Sequence, residues 1–184
     1  MKTNYKKSLK FITLLITSLL LATVSATVYY SLSMQTTVTV GATWVKFFEA
    51  EDTPDGSVVQ DSYCALSLSS LPNSTIIYEH AVGLNNTYNG SRYIRLRHVS
   101  VTPNGTAQVS NFTYIKFYLL NSNNVTQATL NYTTSGDYWS VTSTTGWKEI
   151  PALTTWYIKV ETLSPAGASA SISCTITIAV DVQQ

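Results

Sequence analysis

The strictest pattern in the chain is a two-residue alternation near its C-terminal end. Ile172, Cys174, Ile176, Ile178, Val180 and Val182 fall on one phase, and Ser171, Ser173, Thr175, Thr177, Ala179 and Asp181 on the other. A period of two belongs to a β-strand with one face in a core and one toward water; a helix would space its apolar residues by three or four. Such a strand needs a second layer to cover its apolar face, so the expected architecture is two packed sheets.

A second run of the same kind occupies residues 27–40. Val28, Tyr30, Leu32, Met34, Val38 and Val40 share one face, with Thr36 the only polar member. The run is uncharged and, at fourteen residues, exceeds the usual strand of about five or six. Left exposed, it would template unwanted pairing, so it must pair either within its own chain or with a neighbour.

The remaining chain reads as strands at 43–49, 62–68, 75–82, 92–101, 112–120, 126–133, 137–142, 154–163 and 170–182, with no helix among them. Turn chemistry separates them at Pro54-Asp55-Gly56, Pro72-Asn73, Asn89-Gly90, Pro103-Asn104-Gly105, Ser135-Gly136 and Pro165-Ala166-Gly167. Only 11% of residues are charged, and β-branched and aromatic residues are frequent, both of which favour strands over surface helices. The fold class expected is all-β, a single β-sandwich of immunoglobulin-like or jelly-roll-like character.

Lys2, Lys6, Lys7 and Lys10 precede an apolar run from Phe11 to about Ala22, and Val24-Ser25-Ala26 supplies small residues for cleavage. This is the layout of a secretory signal peptide. Three segments follow: a signal peptide at 1–26, an N-terminal strand at 27–41 and a sandwich domain at 42–184. The alternative is a retained apolar helix, as in a type IV-like pilin; it would need about 20 apolar residues. Without the first 26 residues, seven Lys and Arg face ten Asp and Glu, a net charge of −3. No basic patch points to nucleic acid.

A secreted chain with two cysteines, Cys64 and Cys174, invites one disulfide. Both stand at the inward phase of alternating runs, which suits a bridge between facing sheets; two buried free thiols are the alternative. Asn73, Asn85, Asn89, Asn104, Asn111, Asn124 and Asn131 each begin an Asn-X-Ser/Thr acceptor. N-linked glycans there would coat the middle of the chain and leave both sequence ends bare for assembly.

No nucleophile elbow, zinc signature, phosphate loop or dinucleotide fingerprint is present, and His80 and His98 read as ordinary strand residues. No enzymatic activity and no cofactor are expected. Glu49, Glu51, Asp52, Asp55 and Asp61 crowd a turn, and calcium prefers such hard oxygens, but their spacing departs from the EF-hand loop. A solvated acidic loop is the simpler reading. Trp44, Trp139, Trp147 and Trp156 raise the alternative of a sugar-stacking platform in a secreted carbohydrate-binding module, against core packing.

Ala26-Thr27-Val28-Tyr29-Tyr30-Ser31-Leu32, after an apolar leader, resembles the start of archaeal thread and bundling-pilus subunits, which are similar to TasA-type matrix fibre proteins. The likeness continues through Val38-Thr39-Val40-Gly41 and Trp44-Val45-Lys46-Phe47-Phe48, and returns in Ile176-Thr177-Ile178-Ala179-Val180. The resemblance implies a secreted, extracellular, cell-surface homopolymer serving adhesion, cell contact or biofilm. In it, residues 27–40 would be a donor strand that completes the sheet of the next copy of the chain. Periodicity alone leaves open whether the acceptor is another chain.

Overall fold

The computed structural model describes residues 34–40, 44–168 and 174–183. The expected signal peptide, residues 27–33 with Val28, Tyr30 and Leu32, and the link 41–43 lie outside them. The strands are β1 (Met34–Val40), β2 (Val45–Phe48), β3 (Val58–Gln60), β4 (Tyr63–Leu68), β5 (Thr75–Asn86), β6 (Arg92–Thr102), β7 (Tyr114–Leu120), β8 (Thr126–Ser135), β9 (Tyr138–Val141), β10 (Lys148–Ile150), β11 (Thr155–Leu163) and β12 (Cys174–Gln183). They form two six-stranded sheets, ordered β10-β6-β12-β1-β4-β3 and β2-β5-β11-β7-β8-β9. The all-β sandwich expected from alternation is the observed fold.

Alternation carries directly into burial. Trp156, Ile158, Val160 and Thr162 of β11 are buried while the intervening residues are partly exposed. Ile115, Phe117 and Leu119 do the same on β7. These side chains meet Cys64, Leu66 and Leu68 of β4, Ile94 and Leu96 of β6, and Ile176, Ile178 and Val180 of β12 in one continuous core between the sheets. His98 of β6 crosses that interior to the Tyr132 hydroxyl of β8 at 3.0 Å. Burial lowers the His98 pKa, since its ring would have to carry charge in an apolar setting.

The turns behave as their residues dictate. Gly136, at φ +60°, closes the β8–β9 hairpin, and Asn73 and Asn124 take the same left-handed region, which Asn tolerates better than most residues. Gly83 on β5 serves packing: a Cβ there would run into the Phe48 ring, which lies across the strand.

Three features depart from expectation. Val58–Gln60 and Lys148–Ile150 are short edge strands, and Ala107–Asn111 forms one turn of 3-10 helix where no helix is expected. The edge strands are three residues each, too short for a period of two to register.

Candidate functional site: the β1 groove

β1 lies in the middle of its sheet. Met34 to Val40 run parallel to Cys174 to Val180 of β12, with Met34 opposite Cys174 and Val40 opposite Val180. On the other side Met34 to Thr39 run antiparallel to Leu68 to Tyr63 of β4. The β1–β12 ladder is the only parallel one among the described strands. β12 and β4 do not pair with each other: the other neighbour of β12 is β6, and that of β4 is β3. Among the described strands, β1 is therefore the one that joins the two halves of this sheet.

Each wall of the groove is anchored without β1. On the β12 side, Arg95 Nε and Arg97 Nη2 donate to Asp181 at 2.9 and 3.0 Å, tying β12 to β6. Partial burial would raise the Asp181 pKa, but hydrogen bonds and charge from Arg97 and Arg95 outweigh it and hold the carboxyl below its usual value. The Arg95 guanidinium also lies 4.5 Å from the Trp147 ring centroid. The β4 side is pinned to the opposite sheet. Ser69 N–H donates to the Tyr78 hydroxyl at 3.0 Å, Thr162 Oγ1 donates to the Ser69 carbonyl at 2.7 Å, and the buried hydroxyls of Ser70 and Ser164 meet at 2.8 Å. At the other end of β4, the Asp61 carbonyl accepts from Phe47 N–H at 3.0 Å, and Lys46 pairs with the Asp61 carboxylate at 2.6 Å.

The expected Cys64–Cys174 disulfide does not form. Cys64 and Cys174 are both buried and free. Their phase is inward as expected, but they belong to one sheet, not to two that face each other. β1 runs between them, and they stand opposite Val38 and Met34, four residues apart along it. Two strand spacings and that offset separate them by far more than the roughly 7 Å Cα limit for a bridge. Burial pushes both thiols up to about 12. At pH 8 the reactive thiolate is then on the order of one part in ten thousand. Alkylation of the intact protein should leave both cysteines unmodified. Unfolding without reductant should expose two reactive thiols, and recovery of a linked Cys64–Cys174 peptide would refute this arrangement.

The other singled-out residues are placed apart. Asp52 accepts the Glu79 N–H at 3.0 Å, Asp61 pairs with Lys46, and Glu51 lies 3.9 Å from His80. Among the described residues no three acidic, histidine or cysteine side chains gather as a metal site, so the acidic turn disperses its carboxylates. Trp139 and Trp156 are core residues. Trp44 is tilted against Tyr88 at 5.1 Å, and Trp147 lies beneath Arg95, so the four tryptophans form no common platform. His80 stacks on Tyr157 and bonds Asn124 at 2.9 Å.

Asn73, Asn89, Asn104 and Asn124 are exposed, whereas Asn85, Asn111 and Asn131 are partly buried. The acceptors central in sequence reach both ends of the sandwich. Asn85 lies near the end of β5 and Asn89 within the β5–β6 turn beside Trp44, and Asn73 and Asn104 lie at the opposite end. Bare sequence ends therefore do not become bare ends of the molecule, because β5 and β6, at twelve and eleven residues, run from one end to the other.

One structural residue escaped the sequence reading. Asn86, next to the acceptor Asn85, is fully buried. Its Nδ2 donates to the carbonyls of Gly90, Ile150 and Pro151 at 3.0, 3.3 and 2.9 Å, and its Oδ1 accepts Tyr88 N–H at 3.1 Å. It ties together the turns at the end of the molecule where Trp44 lies. Nothing in the Asn85-Asn86-Thr87 run distinguishes it from its neighbour.

No protein-family model matches the chain, and a search of curated proteins finds no match.

Proposed function

We propose that the protein is the structural subunit of an extracellular filament, built when residues 27–40 of one copy complete the sheet of the next. The observation that carries this reading is the β1 groove. A strand close to the N-terminus fills the centre of a sheet whose two walls are each held by other contacts. Only residues 41–43 tether it to Trp44 and β2. A strand so placed is exchangeable between copies, because the backbone groups of both walls can pair with a strand of the same sequence from a neighbour. A head-to-tail contact of this kind propagates as an open fibre.

Electron microscopy of the native protein tests the reading: unbranched filaments that form without nucleotide or substrate are expected. Monomers alone, with measurable polysaccharide affinity, would favour the carbohydrate-binding module instead. Mass spectrometry should place the mature N-terminus at or near Thr27; a start near Phe11 would favour a pilin with a retained helix.

A further inference from the structure

Within the single chain, β1 has a direction that a head-to-tail fibre cannot use. Val40 ends beside Val180, and Thr39 beside Tyr63, at one pole of the sandwich; Met34 sits beside Leu68 and Cys174 at the other. Trp44 belongs to the Val40 pole. Its carbonyl accepts Thr87 N–H at 2.8 Å in the β5–β6 turn, and β2 descends from it along β5.

Four peptide links connect Val40 to Trp44, a reach of at most about 14 Å. A strand donated with its present direction would leave the acceptor at the acceptor's Trp44 pole. The donor's own Trp44 pole must then lie within that reach. Every subunit of a fibre both donates and accepts, yet it has one Trp44 pole. Both neighbours would compete for it, or one neighbour would exchange strands reciprocally and close a dimer. Running the link back along the acceptor is excluded, because the seven residues of β1 span roughly 23 Å.

Resting on the filament reading above, we infer that the donated strand enters the groove reversed, antiparallel to β12 and parallel to β4. Val40 of the donor then emerges at the Leu68 pole of the acceptor, and unlike poles meet along the fibre. The self-inserted strand of the single chain is accordingly an assembly-blocked form that must withdraw and turn round before it can be donated. The exchange replaces the parallel ladder on β12 with an antiparallel one, the slightly more stable arrangement per residue. It asks the shorter β4 ladder to become parallel.

Thiol cross-linking in full-length chains with Cys64→Ala and Cys174→Ala reads the direction. Gln35 lies opposite Thr175 in the single chain. A reversed strand centred on the same residues would bring Gln35 opposite Ala179. Two variants are compared, Gln35→Cys with Thr175→Cys and Gln35→Cys with Ala179→Cys, using a short bifunctional maleimide that tolerates a small slip in register. In monomers, the Thr175 pair should link within the chain, which also certifies folding. In filaments, the Ala179 pair should yield a ladder of chain multimers on a denaturing gel and the Thr175 pair none. A ladder from the Thr175 pair alone would overturn the reversal and leave the filament reading standing. Filaments with no ladder from either pair would overturn strand donation itself, and a wild-type chain that forms no filaments would overturn the filament reading. The chain direction in a density map of unmodified filaments gives the same answer without substitutions.

Discussion

A chain lacking residues 27–40 is expected to form no homopolymer and to expose the trough between β4 and β12. The body should stay folded, because Asp181 still holds β12 to β6, and Ser69, Ser70 and Thr162 still hold β4 to the facing sheet. Its stability should fall sharply, since β1 is the strand that joins the two halves of its sheet. Each apolar side chain of the missing run contributes roughly 1.5–3 kcal/mol when buried, before association costs are subtracted. The native cysteines report the open groove. Cys64 and Cys174 flank β1 in register with Val38 and Met34, so both should alkylate in the deleted protein and resist in the intact one. A synthetic 27–40 peptide should re-protect the thiols and raise the melting temperature. A Leu32→Asp peptide should do so poorly, because a carboxylate in an apolar trough is costly to desolvate. Normal filaments from the deleted protein would show the donor-strand mechanism to be wrong.

Asn86→Ala is expected to destabilise the fold by about 3 kcal/mol, a large loss for one exposed-type residue, because several backbone groups lose their partner at once. The carbonyls of Ile150 and Pro151 and the N–H of Tyr88 would be left without the amide that bridges them. Asn86→Asp should also be harmful, since a carboxylate keeps the acceptor for Tyr88 and loses both donors. Thermal or urea unfolding of both variants beside wild type checks this. Asn85→Gln, which removes the adjacent glycan acceptor and leaves Asn86 in place, is the control and should stay within about 0.5 kcal/mol of wild type. Equal losses at the two positions would mean that the turn, not the Asn86 amide, holds this pole.

The pH dependence of stability has a defined sign. Asp181 and His98 both have folded pKa values below their ordinary ones. Each stabilises the fold fully above its unfolded pKa, and that stabilisation is lost as pH falls through the folded value. The His98 share begins to fade below about pH 6.5 and that of Asp181 below about pH 3.9, so acid should destabilise the protein in two stages.

Much of the sandwich was legible because its strands are long and half-buried. β6, β7, β8, β11 and β12 match the expected runs to within a few residues, and Pro103-Asn104-Gly105 and Ser135-Gly136 mark turns where the residues themselves demand them. The edge strands β3 and β10 were missed because three residues cannot display a period. The acidic turn looked like a cluster only while distance was counted along the chain, and the four tryptophans offered a common platform only while their strands had no positions. Their side chains diverge once Asp61 turns to Lys46 and Trp139 and Trp156 turn into the core.

By itself the sequence determined which residues face inward. Inward phase is a local property of a pleated chain, so Cys64, Cys174, Ile176 and Ile178 were placed correctly in depth. Only the tertiary structure decided which strands are neighbours. Pairing between strands far apart in sequence depends on how whole sheets assemble, and a run of alternating residues carries no label for its partner. That is why two inward cysteines suggested a bridge between sheets, yet proved to stand on either side of β1 in one sheet. The same holds for the direction of β1. Its amphipathic pattern reads identically forward and backward, and only its place beside β12, with Trp44 four links away, shows which way it runs in the single chain.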